Sequence, residues 1–338
     1  MTPAQLLESS LEALESFPVL AGTRQQLLEL LDGGGAHQRD LADLVEGDVA
    51  LTIAVLRAAN SLPDCPRGGV DTVPRALAAI GEQRLYEITT AATTFDFFER
   101  APLWHNLPER LRAHALATQR AAQEIAAAIS YEHRERLLVT ALLHDIGKLA
   151  LGYCEAGYPR EVHLRARTPE ERVASEQYEL GFDHAHIGAM LAAHWDFPEP
   201  IVTAIADHHS ACAPSEATII RLADMLAHYG AGGFVSRQEL GEVARSLELD
   251  LAQIRKILYG VGRLPDSRGL RPAAPCPMSN REVDVLRCLS RGLVYKQIAS
   301  ELGLSTSTVR THLHNVYGKL GATDRAQAVL IATGEGWL

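Results

Sequence analysis

The chain has 338 residues, 47% of them hydrophobic and 22% charged, enough apolar material for a sizeable core in two or three domains. No basic-then-apolar leader opens it, and every apolar run is broken by charge or histidine well before the roughly 18 residues a membrane span needs, so a cytoplasmic protein without membrane contact is expected. A net charge of −10 excludes a chain that coats nucleic acid along its whole length, and five scattered cysteines with no C-x-x-C pair exclude a disulfide framework and a thiolate zinc site.

From the N-terminus almost everything reads as helix: Ala, Leu and Glu dominate, and apolar residues recur at three and four. DGGGAH at 32–37 is an inter-helix turn and not a phosphate loop, since no strand precedes it and no Lys-Ser/Thr follows. Asn60 and Ser61, in LRAANS, end a helix. Of fourteen histidines, His37, His105, His133, His163, His186, His194 and His228 read as surface or packing residues. Others keep metal-like company. His114 lies on the helix LRAHALATQRAAQEI, His144 and Asp145 end the next helix within LLHDIGKLAL, and His184 follows in FDHAHIGAML. His208 and His209 form a pair, and Asp224 sits in IIRLADMLAH. Imidazole and carboxylate together suit iron, manganese or zinc, and ligands presented by packed helices can bridge two ions. The plainer alternative is that His144 and Asp145 cap a helix end and hydrogen-bond within a polar core.

Ser236 with Glu239 forms a capping-box pattern ahead of SRQELGEVARSLELDLAQIRKILYG, the last helical segment before GVGRLPDSRGLRPAAPCP at 260–277. That stretch holds four prolines and three glycines without apolar periodicity, and reads as a linker. Residues 278–338 carry seven Lys/Arg against five Asp/Glu, a net of +2 that leaves −12 for the rest, so any DNA contact belongs at this end. Ser279 and Glu282 make a second capping box, and Gly292, Gly303, Gly321 and Gly334 stand where four short helices should stop. The third, beginning near Ser305, buries Val309, Leu313, Val316 and Leu320 and turns Arg310, Thr311 and His314 outward together. A short helix, a tight turn and a second helix with exposed donors is how a recognition helix enters a major groove; a small helical interaction module is the alternative.

These residues resemble the LuxR-type helix-turn-helix family through N-R-E, then G-x-x-x-K-x-I-A, then S-x-x-T-V-R-x-H-L leading to K-L, over all of 278–334. The resemblance implies double-stranded DNA as partner, with Arg310, Thr311 and His314 at base-facing positions and Lys296, Ser305, Thr308 and Lys319 where phosphates are met. Arg and His can donate to guanine edges, and Thr can touch a thymine methyl. Asp284 stands where the family usually has Glu. Members bind as dimers, which implies a homodimer to which the last helix, 324–333, contributes.

Upstream, His114, His144, Asp145 and Asp224 fill the H, HD, D pattern of the HD superfamily of metal-dependent phosphohydrolases, and His184, His208 and His209 match the additional histidines of its two-metal branch. Lys148 matches the Lys of HDIGK, implying a phosphate contact and, if the chain is an enzyme, a catalytic one. SACAPSEA follows the His pair where cyclic-di-GMP phosphodiesterases of the superfamily carry GYP, so that activity is not implied. ESFPVLAG, DLADLVEGDVALTIAVLRAANSLP, VPRALAAIGEQRL and LGFDHAHIGAMLAAHWDFPEPIVTAIADHH together resemble the HDOD domain, an HD-related and mostly non-catalytic helical signalling module, over roughly residues 10–260. HDOD domains often lack the HD ligands; this chain departs by having them.

The expectation is an all-α protein: an HDOD signalling domain with an HD-type metal site over 1–259, a Pro/Gly-rich linker over 260–277, and a four-helix LuxR-type helix-turn-helix domain over 278–338. Its expected function is transcription regulation, sensing through a pair of divalent ions. The alternative is a metal-dependent HD-type phosphohydrolase or di-iron oxygenase with an attached DNA-binding module. No α/β receiver domain is evident, so the input arrives through the helical domain, which leaves room for a small-molecule or nucleotide ligand. The segment 236–260 and the linker are the only covalent route from sensor to reader.

Overall fold

The computed structural model describes residues 19–33, 37–66, 69–92, 94–95, 107–154, 168–210, 215–261, 276–290, 293–322 and 325–334, with isolated residues between them. It is helical, as composition and periodicity require. Helices α1 (Ala21–Asp32), α2 (Gln38–Glu46), α3 (Val49–Asn60) and α4 (Val73–Ala91) come first. A two-residue strand β1 (Val19–Leu20) ahead of them pairs in parallel with β2 (Thr94–Phe95), a feature the sequence pattern does not announce. Then follow α5 (Leu107–Ala128), α6 (Arg134–Leu143), α7 (Ile146–Cys154), α8 (Pro169–Leu180), α9 (His184–His194), α10 (Glu199–Asp207), α11 (Ser215–Gly230), α12 (Arg237–Ser246) and α13 (Leu251–Val261). The C-terminal helices are α14 (Asn280–Ser290), α15 (Tyr295–Leu302), α16 (Thr306–Leu320) and α17 (Arg325–Gly334).

Local chemistry sets most of these boundaries. Asp48 caps α3 by accepting from Ala50 N and Leu51 N, and its other oxygen accepts from Leu20 N at 2.8 Å, tying β1 to the helix start. Asn60 ends α3, giving its amide to Leu56 O and Val70 O while accepting from Val70 N at 2.7 Å; it is a structural clamp. DGGGAH joins α1 to α2 as expected of a turn, with 34–36 outside the described residues. Ser236 caps α12, but the Glu239 carboxylate is turned to Arg221 and does not close a capping box. Segment 236–260 is two helices broken at 247–250, and α13 runs to Val261, into the expected linker, whose residues 262–275 lie outside the described set.

Three apolar clusters form. The first gathers α1–α4 with α7 and α9, the second gathers the C-terminal half of α5 with α6, α11, α12 and α13, and the third is confined to Met278 and beyond. α5 and α6 span the seam between the first two: Leu111 and Ala115 belong to one and Ala121 and Ile125 to the other. α11 is apolar nearly all round, with Ile219, Ile220, Leu222, Ala223, Met225 and Leu226 buried, and packs on α5 as the central helix. Its C-terminal end touches α17: buried Gln327 donates to Tyr229 O at 3.2 Å and Gly233 O at 3.3 Å. The N-terminal and C-terminal helices thus meet by a non-covalent route as well as through the chain.

No helix among the described residues is long and apolar enough to cross a membrane.

The backbones approach closely where α7 crosses α9. Gly147 sits against the His184 carbonyl and Gly188 N, and a Cβ there would run into both. Because the obstacle is backbone, no side chain can swing away. Gly147→Ala should therefore cost at least the ~1–3 kcal/mol typical of overpacking, read as a lowered urea midpoint with unchanged m; an unshifted midpoint would mean the crossing is looser than described.

Candidate metal centre and nucleic-acid interface

Five segments converge on one point at that seam. α5 brings His114, the α6–α7 junction His144 and Asp145, the first turn of α9 His184, the end of α10 His208 and His209, and α11 Asp224. Two groups of donor atoms result, each close enough to share an ion: His114, His144, Asp145 and Asp224 in one, His184, His208 and His209 in the other. Asp145 stands between them. Its Oδ2 lies 3.5 Å from Nε2 of both His114 and His144, while its Oδ1 lies 3.3 Å from Nε2 of His184 and 3.8 Å from that of His208. Asp224 Oδ1 is 2.8 Å from His114 Nε2 and 3.6 Å from His144 Nε2. The Nε2 atoms of His184 and His209 face each other at 3.0 Å.

The far sides of three rings are tied down. Nδ1 of His144 lies 2.7 Å from Ala141 O and Nδ1 of His208 2.7 Å from Ile205 O. A carbonyl only accepts, so these Nδ1 atoms carry protons and each ring turns its Nε2 into the cluster. His184 Nδ1 is held 2.6 Å from Glu176 Oε2, which also accepts from His184 N at 2.8 Å, while Tyr158 donates to Glu176 Oε1 at 2.7 Å. The inner atoms His144 Nε2, His208 Nε2 and Asp145 Oδ1 make no well-directed hydrogen bond, although the residues are at most 4% exposed. Buried polar atoms left in that condition call for an occupant.

Electrostatics favours the ligating forms. Burial takes His208 down to about 3, reinforced by His144 and His184, and holds His209 well below the usual imidazole range. Burial also lowers His114. It would raise the carboxyl groups, but His144 and Lys148 keep Asp145 well below the ordinary carboxylate range, and His228 and His114 do the same for Asp224. His184 is the exception: burial disfavours its charge, yet the adjoining Glu176 carboxylate carries it above the ordinary value. Neutral rings beside ionised carboxylates are what a divalent ion binds. Lys148, 1% exposed, reaches Asp145 Oδ2 at 2.5 Å. The cavity bordering Asp145, between α3, α5, α6 and α7, measures about 10 Å³.

All seven residues singled out as ligands are thus brought together. Two more belong with them. His228, read from sequence as ordinary, places Nε2 3.4 Å from Asp224 Oδ1 with its ring 4.4 Å from that of His114, and burial takes it to about 3. The D-x-x-x-H spacing on one helix was the signal that could have found it. Glu176 offered none, since its role depends on how α8 returns against α9. His186 and His194 are exposed, His37 and His133 precede α2 and α6 at cap positions, and His105 and His163 lie outside the described residues.

In the C-terminal part, α15, a turn at Gly303 (φ 64°) and α16 form the expected layout, and Gly321 (φ 63°) closes α16 in the left-handed region; Gly292 lies outside the described residues. Val309, Leu313 and Val316 are buried, Leu320 partly so, and Arg310, Thr311 and His314 are exposed. The Arg310 guanidinium stands 5.9 Å over the Tyr295 ring. Lys296 is exposed. Ser305 caps α16, accepting from Thr308 N at 3.0 Å. Lys319 is paired internally, 2.7 Å from Oε2 of buried Glu282, which also closes the expected capping box with Ser279. Asp284 lies 3.8 Å from Arg281 and 3.9 Å from Arg287.

The chain thus joins a helical domain that holds a double imidazole–carboxylate cluster to a helix-turn-helix module of the DNA-binding layout. Residues 17–211, more than half the chain, match the HDOD domain, and the chain belongs to that family. Residues 277–332 match the bacterial regulatory proteins of the luxR family. The chain is 44% identical over 61 residues to the transcriptional regulatory protein YdfI of Bacillus subtilis, covering 18% of this chain and 29% of YdfI. It is 37% identical over 103 residues to the probable transcriptional regulatory protein NarL of Mycobacterium tuberculosis, covering 30% and 48%. The chain thus spans less than half the length of these curated relatives. The solved structure of the MmoQ response regulator of Methylococcus capsulatus superposes with a TM-score of 0.58 at 23% identity, over 72% of this chain and 98% of that one, a likeness of fold.

Glu176 is fully buried with three close polar partners, two of them on His184. Glu176→Ala should destabilise the protein by about 3–5 kcal/mol in urea unfolding, because His184 and Tyr158 lose their acceptor together. A change under ~1 kcal/mol would show that the ring is held by something else.

Proposed function

We propose that the chain is a transcriptional regulator that acts in the cytoplasm, its HDOD domain sensing through two divalent ions of iron, manganese or zinc, and its LuxR-type module binding double-stranded DNA as a homodimer. The observation that carries the metal half is Asp145, whose two oxygens face two separate imidazole groups. His114, His144, Asp224 and Asp145 Oδ2 would hold one ion; His184, His208, His209 and Asp145 Oδ1 the other. Bound there, the ions supply the positive charge that Lys148 alone does not provide against Asp145, Asp224 and Glu176, and with iron or manganese a charge that redox chemistry can change.

The residues around the cluster favour sensing over turnover. The cavity that borders Asp145 measures about 10 Å³, room for about one water, and apart from Asp145 is lined by Arg112 and apolar residues and not by the site's histidines. Lys148 is engaged with Asp145 and buried, a poor position for meeting a substrate phosphate. The route to the reader is short. Asp224 lies on α11, and five residues on, Tyr229 accepts from Gln327 of α17, so a shift of α11 that accommodates the ions is felt at the helix the LuxR resemblance assigns to dimerisation. For this to regulate, the ions must favour one of two arrangements of α11 over the other.

On the DNA side, Arg310, Thr311 and His314 face base edges, with Lys296, Ser305 and Thr308 on phosphates. Lys319 would have to leave Glu282 or be shared with it. The net charge of +2 on this module gives one copy little phosphate-neutralising power, which favours a pair on two half-sites.

Metal analysis of untagged protein should give about two ions per chain. Affinity for a duplex selected from a random pool should then differ between metal-loaded protein, chelated protein and a folded His144→Ala/Asp145→Ala variant. Equal affinity in all three would leave the metal structural or catalytic, and hydrolysis of nucleotides or cyclic dinucleotides by the loaded protein would favour the phosphohydrolase alternative.

Arg310→Ala should cost roughly 1–3 kcal/mol of specific binding and relax sequence preference, whereas Lys296→Ala should weaken all sequences alike and reduce the salt dependence. Unchanged preference for the first, or a loss confined to one sequence for the second, would contradict these roles.

A further inference from the structure

On α11, His228 stands one turn beyond Asp224, so both side chains leave the same face of the helix. His228 Nε2 is buried without a hydrogen-bond partner. Around Asp224 Oδ1 three imidazole nitrogens fan out: His114 at 2.8 Å, His228 at 3.4 Å and His144 at 3.6 Å. The His228 and His114 rings lie 4.4 Å apart, tilted by 34°. An imidazole serving only to hold Asp224 would point an N–H along the line to the carboxylate oxygen; here the contact is long and undirected.

We propose that His228 is a fifth protein ligand of the ion held by His114, His144, Asp145 and Asp224, a role that rests on the metal reading above. His228 would add a third imidazole on the Asp224 side of that ion, its Nε2 lying farther out than the four donor atoms that already fall within 4.8 Å of one another. Catalytic ions keep a position open for water or substrate, commonly with three protein ligands, and structural ions are closed by the protein. The two groups therefore differ in kind. The His228 group is shut against substrate, and exchangeable chemistry, of a small exogenous ligand or of water, is left to the ion among His184, His208 and His209.

The test is a cobalt(II) titration of chelated full-length protein, read by visible absorption and by competition with a chromophoric chelator, on wild type, H228A, H228Q and, as an exposed control, H194A. Wild type and H194A should take two equivalents with the same spectrum. In H228A one equivalent should weaken by more than the ~10–100-fold that loss of an outer hydrogen-bond partner costs, with a more intense d–d band as its donors fall from five to four, and the other equivalent should be unchanged. H228Q, which keeps a polar group in the same space, should show the same loss with helix content retained. Wild-type affinity and spectrum in H228A would overturn the proposal. So would restoration by H228Q, which would reduce His228 to a hydrogen-bond donor for Asp224. Absence of any cobalt uptake by wild type would overturn it together with the metal reading, an outcome distinct from the first two.

Discussion

A buried carboxylate that must serve two sets of imidazoles is the constraint around which the N-terminal domain is built. Asp145 is 4% exposed, with Lys148 on one oxygen and histidines of two groups around both. A buried charge is tolerated only when paired and hydrogen-bonded. Two such carboxylates, Asp145 and Asp224, share this site with a third, Glu176, behind His184. The apolar clusters on either side supply the rigid walls: on α5 Leu111 and Ala115 belong to one core and Ala121 and Ile125 to the other, and on α6 Leu142 and Leu143 belong to one and Leu137 and Ala141 to the other, so the polar cluster occupies the seam where the two halves of the domain meet. Anything that changes the charge at that seam changes how the halves are held together.

The outer tethers make the site specific. Carbonyls of Ala141 and Ile205 fix the tautomers of His144 and His208, and Glu176 fixes the ring of His184, so the Nε2 atoms of three rings are aimed inward before any ligand arrives. Gly147 permits the α7–α9 approach that brings Asp145 to His184. α11 then links this centre to the C-terminal module, because the helix that carries Asp224 and His228 ends where Gln327 of α17 is bonded.

Much of this was legible in the sequence. Helix periodicity, the Ser279–Glu282 box and the stops at Gly303 and Gly321 marked the ends of α14, α15 and α16, because those signals are local. The seven donor residues were legible as chemistry, since imidazoles and carboxylates in an apolar context need partners. What sequence did not reveal were roles set by packing between distant segments. Glu176 and His184 are eight residues apart and meet only because α8 and α9 turn back on each other. Lys319 meets Glu282 from 37 residues away and so is less free for phosphate than its position suggests. His228 was readable in principle, one turn from Asp224, but became significant only once His114 was seen across from it. The β1–β2 pairing is two residues long, too short for alternation to register.

Two ions sharing Asp145 is the arrangement proposed for this site. Anomalous X-ray diffraction from crystals of untagged protein, collected on both sides of the iron, manganese and zinc edges, tests it most directly. Two peaks flanking Asp145 are expected, one beside Oδ2 among His114, His144 and Asp224, the other beside Oδ1 among His184, His208 and His209. A metal-free cluster closed by water and by Lys148 alone, in protein never exposed to chelator, would contradict it.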